Sequence, residues 1–149
     1  MKAEHHLAVS LTTAAAIYAA TRSAPLIGSF LVAGVLLDLD HWVDYWAEYG
    51  RRFDVRHFFE SVSHKEFRKA FLFLHAWEWV ALCGLLAWWR NWNPWLSGLT
   101  LGWGLHLLLD QLCNSTRPWT YFLLWRAFGR FEYKRSFPVP YVPRRTGRS

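Results

Sequence analysis

Four apolar stretches, paired two and two across tight turns, constrain this chain more than any other feature. The first runs from His6 to about Ala20 and is Ala-rich and helix-prone. Thr21-Arg22-Ser23-Ala24-Pro25 reads as a turn, with Ser23 as N-cap and Pro25 near the first helical position. The second stretch runs from Leu26 to Leu37 and continues as a helix through Asp38–Trp46. A polar stretch, Glu48 to Lys69, follows, with Gly50 as the stop. Its Phe58-Phe59 and Phe67 predict a short amphipathic helix lying on a surface. The third apolar stretch is Ala70–Trp89. Arg90-Asn91-Trp92-Asn93 turns into Pro94, and the fourth runs from Trp95 through Cys113.

Each of the last two is about twenty residues, the length that crosses a bilayer. The first two have roughly thirteen to fifteen apolar residues, so they are buried helices or spans whose polar ends reach the headgroups. Of the 149 residues, 53% are hydrophobic and 19% aromatic, with 11 Trp, a load that suits a chain meeting lipid. The Trp at 77, 79, 88, 89, 92, 95 and 103 read as packing and interface anchors rather than a cofactor box. Trp119–Phe128 is a further interfacial helix candidate. The expected fold is therefore all-α: a helical integral membrane protein of about four membrane helices in two hairpins, plus interfacial helices. Residues 1–137 form one helical membrane domain around a buried polar or metal site, and residues 138–149 a flexible basic tail.

The net charge of +6 is concentrated between Arg51 and Lys69 and from Arg117 to Arg148. These blocks flank apolar segments, so they orient a membrane protein rather than bind nucleic acid, which is not an expected partner. Only Arg22 and Arg90 sit in the tight turns. Both termini and the central stretch are thus expected in the cytoplasm, in a bacterial inner membrane. A cleaved signal is rejected, although Lys2 and Leu7–Ala20 imitate one. Glu4, His5 and His6 stand where a signal carries basic residues. Cys83 and Cys113 lie in apolar segments, form no close pair and read as reduced thiols.

Ionisable groups inside apolar helices are costly and mark function. Here they are His6, Asp38, Asp40, His41, Asp44, His75, Glu78, His106 and Asp110. On helices, His75 and Glu78 share a face, as do His106 and Asp110, and His41 centres a stripe between Asp38 and Asp44. Depth agrees as well. At 1.5 Å per residue, His6 lies ~24 Å before the first turn and Asp38 ~23 Å after it. His75 lies ~25 Å before the second turn and His106 ~22 Å after it. Four unrelated buried polar groups have no reason to share one level. Imidazole with carboxylate is the ligand set of zinc, iron and manganese. So many candidates fit two metals, or one metal with acid/base and supporting groups. His5, His57 and His64 lie in polar surroundings and read as surface residues.

At Asp38-Leu39-Asp40-His41 the sequence resembles a family of bacterial membrane-bound metal-dependent hydrolases, the LexA-regulated inner-membrane type. That family has an early histidine, an Asp-x-Asp-His motif ending the second apolar segment and a late His-x-x-x-Asp. Here these are His6 (or His5), Asp38 to His41, and His106 with Asp110, in matching order over roughly residues 5 to 125. Leu37 replaces the family's usual Pro. The family's central His-Arg-Gly-x-Thr-His-Ser is replaced by Ser63-His64-Lys65-Glu66-Phe67 and then His75-Ala76-Trp77-Glu78. The chain looks like a divergent branch in which His75 and Glu78 supply what that segment supplies elsewhere. A looser similarity to helical zinc-dependent phospholipases C, with His-x-x-x-Asp and His-x-x-x-Glu pairs, implies phosphoester or lipid-like substrates.

The leading expectation is a metal-dependent hydrolase at the membrane surface, with one or two divalent ions: zinc first, manganese or iron as alternatives. Asp38, His41, His75, His106 and Asp110 are first-choice ligands, with His6 next. Asp40 is a ligand or catalytic carboxylate, and Glu78 the general-base candidate. Arg51, Arg52 and Arg117 would draw an anionic lipid or phosphoester. Two alternatives stand beside it. One is a non-enzymatic membrane protein with a structural metal or polar network. The other is a di-iron membrane oxidase, weakened because the chain has no His-x-x-His clusters.

Overall fold

The structure, a computed structural model, describes residues 3–50, 54–64 and 67–138. Arg51, Arg52 and nearly all of the basic tail lie outside the described residues. The described residues are all-helical, with no strand and a single isolated bridge between Lys69 and Glu132. Helix α1 spans Ala3–Thr21 and α2 spans Ala24–Leu36. Ser23 is the N-cap of α2 in extended conformation, without a side-chain capping bond, and Pro25 sits in the first turn. A single 3-10 turn, Leu37–Asp40, joins α2 to α3, His41–Tyr49, and Gly50 ends it at φ 78. Together Ala24–Tyr49 makes the one segment, among the described residues, long and apolar enough to cross a bilayer. A third of its most apolar window is buried inside the protein.

Helix α4 spans Val55–His64, α5 Trp77–Trp89 and α6 Pro94–Cys113. Asn93 caps α6 by accepting from the N–H groups of Trp95 and Leu96 at 3.0 and 3.4 Å. Two short helices follow, α7 at Leu123–Phe128 and α8 at Tyr133–Ser136. The expected hairpins form: α1 packs on α2, and α5 on α6. The most extensive contact is between α2 and α6. It depends on glycine. A Cβ on Gly98 would stand 2.1 Å from the Leu26 carbonyl oxygen, and one on Gly102 would stand 2.2 Å from that of Phe30. Backbones approach this closely only where side chains are absent. Gly34 faces Ser10 of α1 in the same seam.

Three expectations need correction. The third apolar stretch is not one helix from Ala70. Residues 70–76 are irregular, Ala76 is extended (φ −140), and α5 begins at Trp77. The amphipathic α4 does not lie on a bare surface either. Phe58 and Phe67 are buried with Tyr45, Leu72, Tyr133 and Phe137 in a protein core, while Val55 and Phe59 point outward. That core closes the end of the bundle where α2 gives way to α3. Likewise, only Leu123–Phe128 of the aromatic run 119–128 is helical.

Candidate metal centre

The 3-10 turn after α2 aims Asp38 and Asp40 inward, and α6 brings His106 and Asp110 to the same level one turn apart. The irregular segment 70–76 delivers His75 between them. Nε2 of His75 and Nε2 of His106 face each other at 3.2 Å. Asp38 Oδ1 lies 3.5 Å from the first and 3.4 Å from the second. Asp110 Oδ2 lies 3.5 and 3.7 Å from the same two atoms. One donor atom from each of Asp38, His75, His106 and Asp110 thus falls within 4.8 Å of every other.

The outer ring atoms decide the tautomers. His106 Nδ1 is 2.9 Å from the Gly34 carbonyl oxygen, which can only accept, so that nitrogen carries the proton. His75 Nδ1 is 3.0 Å from Asp40 Oδ2 and donates to that carboxylate. As neutral imidazoles, both rings turn a lone pair into the shared space, opposite two carboxylate oxygens. Four lone-pair donors repel one another unless a cation lies between them, either a metal ion or a proton on one of the facing Nε2 atoms. Tetrahedral zinc with bonds of ~2.0–2.1 Å sets its donors about 3.3–3.4 Å apart. The five separations above, 3.2 to 3.7 Å, bracket that value. The buried Asp/His cluster could therefore hold a metal ion.

Supporting groups surround this set. Asp110 Oδ1 accepts from His6 Nε2 and from Asn114 Nδ2, each at 2.9 Å, which leaves Oδ2 for the cluster. The His6 ring stacks on His106 at 4.0 Å. Asp40, His41 and His75 form a second, overlapping group of donors. Since the His75 Nδ1 proton is given to Asp40, the geometry favours Asp40 as an orienting carboxylate behind a ligand. His75, His106 and Asp110 are sealed from solvent, whereas Asp38 is 29% and His41 26% exposed at the side chain, so these two form the cluster's open edge.

Residues 70–76 hold their shape through side chains of other elements. Asp44 accepts from the N–H groups of Phe71 at 2.8 Å and Leu72 at 3.4 Å, and Asp40 accepts from that of Leu74 at 2.9 Å. Trp79 and Trp103 donate to the carbonyls of Phe73 and Leu74. Arg126, buried to 2%, donates to the carbonyls of Leu72, His75 and Thr120 at 2.7 to 2.9 Å. Leu72 is thereby held at φ 42, a conformation that β-carbon residues avoid. Burial pulls the Arg126 pKa down and the carboxylates of Asp40, Glu78 and Asp44 oppose it; the group stays a cation.

The structure thus brings His6, Asp38, Asp40, His41, His75, His106 and Asp110 together, and leaves Glu78 out. Because His75 precedes α5, it shares no helical face with Glu78. The Glu78 carboxylate instead accepts from the N–H groups of Leu123 and Leu124 at 3.0 and 3.1 Å, at the start of α7. His57 pairs with the Tyr45 hydroxyl, 2.9 Å away. The sequence reasoning missed Arg126, and it reads Trp103 only as a packing and interface anchor, without its bond to the Leu74 carbonyl. The one signal for Arg126 is a lone cation inside the aromatic run Trp119–Phe128.

An all-helical chain with a bilayer-length apolar segment and a buried His/Asp cluster of this kind has the features of a membrane protein with a metal-binding site. The chain belongs to the YdjM inner membrane protein family, whose model matches residues 1–140. That agrees with the inner-membrane part of the resemblance read from the motifs and is silent on hydrolysis. No curated protein and no solved structure matches the chain.

Proposed function

We propose that this protein is a membrane-bound metal-dependent hydrolase acting on phosphoester or lipid-like substrates at the cytoplasmic face of the inner membrane. The observation that carries the metal is the pair of Nε2 atoms at 3.2 Å with both Nδ1 protons committed elsewhere. Asp38, His75, His106 and Asp110 hold one divalent ion, zinc before manganese or iron, since imidazole and carboxylate suit zinc well. Bound there, the ion supplies Lewis acidity and lowers the pKa of a coordinated water towards neutrality. Asp40 fixes the His75 tautomer, and His6 with Asn114 fixes Asp110. His41, partly exposed beside Asp38 at 3.6 Å, holds or passes a proton at the open edge, a role for which Glu78 is too far committed to α7.

The test uses detergent-purified full-length chain: metal per chain, then hydrolysis of a chromogenic phosphodiester and of a phospholipid before and after chelation. Chelator-sensitive turnover restored by one metal supports the proposal. Protein that neither retains nor takes up a divalent ion overturns it. A second reading, a structural metal tying the helices, is favoured by the four donors, which by themselves complete a tetrahedral zinc site. It predicts a metal-loaded, inactive protein that loses stability on chelation, by ~4 kcal/mol where free ion exceeds Kd a thousandfold.

The same proposal includes a topology. Residues 1–137 form one membrane domain with α1, α2–α3, α5 and α6 as its membrane helices, and both termini lie in the cytoplasm. The cation-poor turns at Arg22 and Arg90 support this against the basic central stretch.

A further inference from the structure

Helix α7 has two unlike faces. Inward, Arg126 grips the carbonyls of Leu72 and His75, while Glu78 binds the first N–H groups of the helix. Outward, Leu124 is 63%, Trp125 46% and Phe128 85% exposed, and Trp119 stands exposed just before. These outward side chains are not waiting for an internal partner, because the segment is already anchored. Thr120 Oγ1 donates to the Ser136 carbonyl at 2.6 Å, the Arg117 N–H donates to the same oxygen, and Tyr133 and Phe137 are buried in the core.

The apolar tip has charged flanks. Arg117, Arg130, Lys134 and Arg135, which flank it along the chain, are all exposed. Glu132 is the only carboxylate between residues 117 and 136, and Arg135 lies 3.4 Å from it. At Gly129, which ends α7, a Cβ would touch the Arg135 stem at 3.0 Å, so the chain folds back tightly and keeps Arg135 beside the end of α7. A few bulky apolar side chains flanked by cations match the boundary between acyl chains and anionic headgroups.

We infer that the segment from Arg117 to Ser136 is a docking foot for anionic lipid, with Leu124, Trp125 and Phe128 sunk into the headgroup boundary. The inference rests on the family's membrane location and not on the metal centre. Because the same short helix carries Arg126, lipid engagement on one face and support of the His75 segment on the other belong to one rigid unit.

The experiment places a spin label at Phe128→Cys in full-length Cys83→Ser/Cys113→Ser protein. The protein is reconstituted in nanodiscs of phosphatidylcholine alone or mixed equally with phosphatidylglycerol. Relative collision with oxygen and a water-soluble nickel chelate gives depth. In the anionic discs the label should sit about 5–10 Å below the phosphates. It should become shallower in phosphatidylcholine alone, and shallower again in anionic discs when Arg130, Lys134 and Arg135 are changed to Gln. A label open to the nickel chelate in anionic discs overturns the inference. So does equal depth in both lipids, which denies recognition of charge, or a label shielded from both reagents, which shows that protein covers the tip. Metal content and hydrolysis enter none of these outcomes, so failure here is distinct from failure of the proposed reaction.

Discussion

Replacing Gly102 with alanine should disturb the metal centre without touching any of its residues. The new Cβ would stand 2.2 Å from the Phe30 carbonyl oxygen, 2.9 Å from its carbon and 3.0 Å from the Phe30 Cα. These are backbone atoms of α2 and cannot rotate away. Ordinary contact requires α2 and α6 to separate by about 1 Å. One turn further along, His106 Nδ1 reaches the Gly34 carbonyl at 2.9 Å, and the same displacement stretches that bond to about 4 Å, beyond hydrogen-bond range. Overpacking should cost about 1–3 kcal/mol of stability. Loss of the orienting bond should weaken metal binding about 10- to 100-fold. The assay is a competitive metal titration of wild type and Gly102→Ala in the same detergent, with thermal unfolding alongside. Gly84→Ala is the control, since a Cβ there meets only the Thr100 methyl at 3.5 Å. Equal affinity and equal midpoint in wild type and Gly102→Ala would refute the coupling of the glycine seam to the site.

His106→Ala should lower bound metal per chain, whereas His57→Ala, which loses a partner of Tyr45 and a ring contact with Tyr49, should leave it unchanged; elemental analysis of the two preparations decides. Glu78→Gln should keep the metal and lose only about 0.5–1.5 kcal/mol in chemical unfolding, because its bonds are to the start of α7. Arg126→Met should orphan the buried carbonyls of His75 and Thr120 at about 1–3 kcal/mol each. Metal affinity should fall with it and recover in part in Arg126→Lys; unchanged affinity in the Met variant sinks the positioning role. Cysteines introduced at Ser23 and Asn91 should react with an impermeant reagent in intact cells, and labelling of either only after permeabilisation reverses the topology.

Much of the centre was legible because buried charge is expensive whatever the local conformation. The depth count put His75 level with His106, and it holds although residues 70–76 are not helical, since His75 lies only two residues before α5. The same error broke the pairing of His75 with Glu78, which required a helix. Nothing in Ala70-Phe71-Leu72-Phe73-Leu74-His75-Ala76 signals irregular backbone. Asp44, Arg126 and Trp103 impose it from 27 to 54 residues away. The amphipathic pattern of α4 was read correctly as one apolar face, but a pattern cannot tell lipid from the buried Tyr45 and Tyr133 that cover Phe58. Gly98 and Gly102 have the small-residue spacing of close helix contacts, yet only the position of α2 shows what they admit.

The cross-linking of residues 70–76 to distant side chains also sets the order in which this protein can be made. The contact of His75 with Asp40 closes 35 residues, that of Leu72 with Arg126 54, and that of His6 with Asp110 104. Such closures come late, because the entropy of a long loop is spent before its contacts form. Synthesis runs from the N-terminus, so α1 to α3 emerge with Asp38 and Asp40 in place long before the ribosome reaches Arg126. A nascent or truncated chain then carries the carboxylates without the cage. Metal uptake consequently reports a chain complete through α6, and a copy that stalls before residues 70–76 remains a helical hairpin with two acids at its end and no imidazole of α6 or His75 to face them.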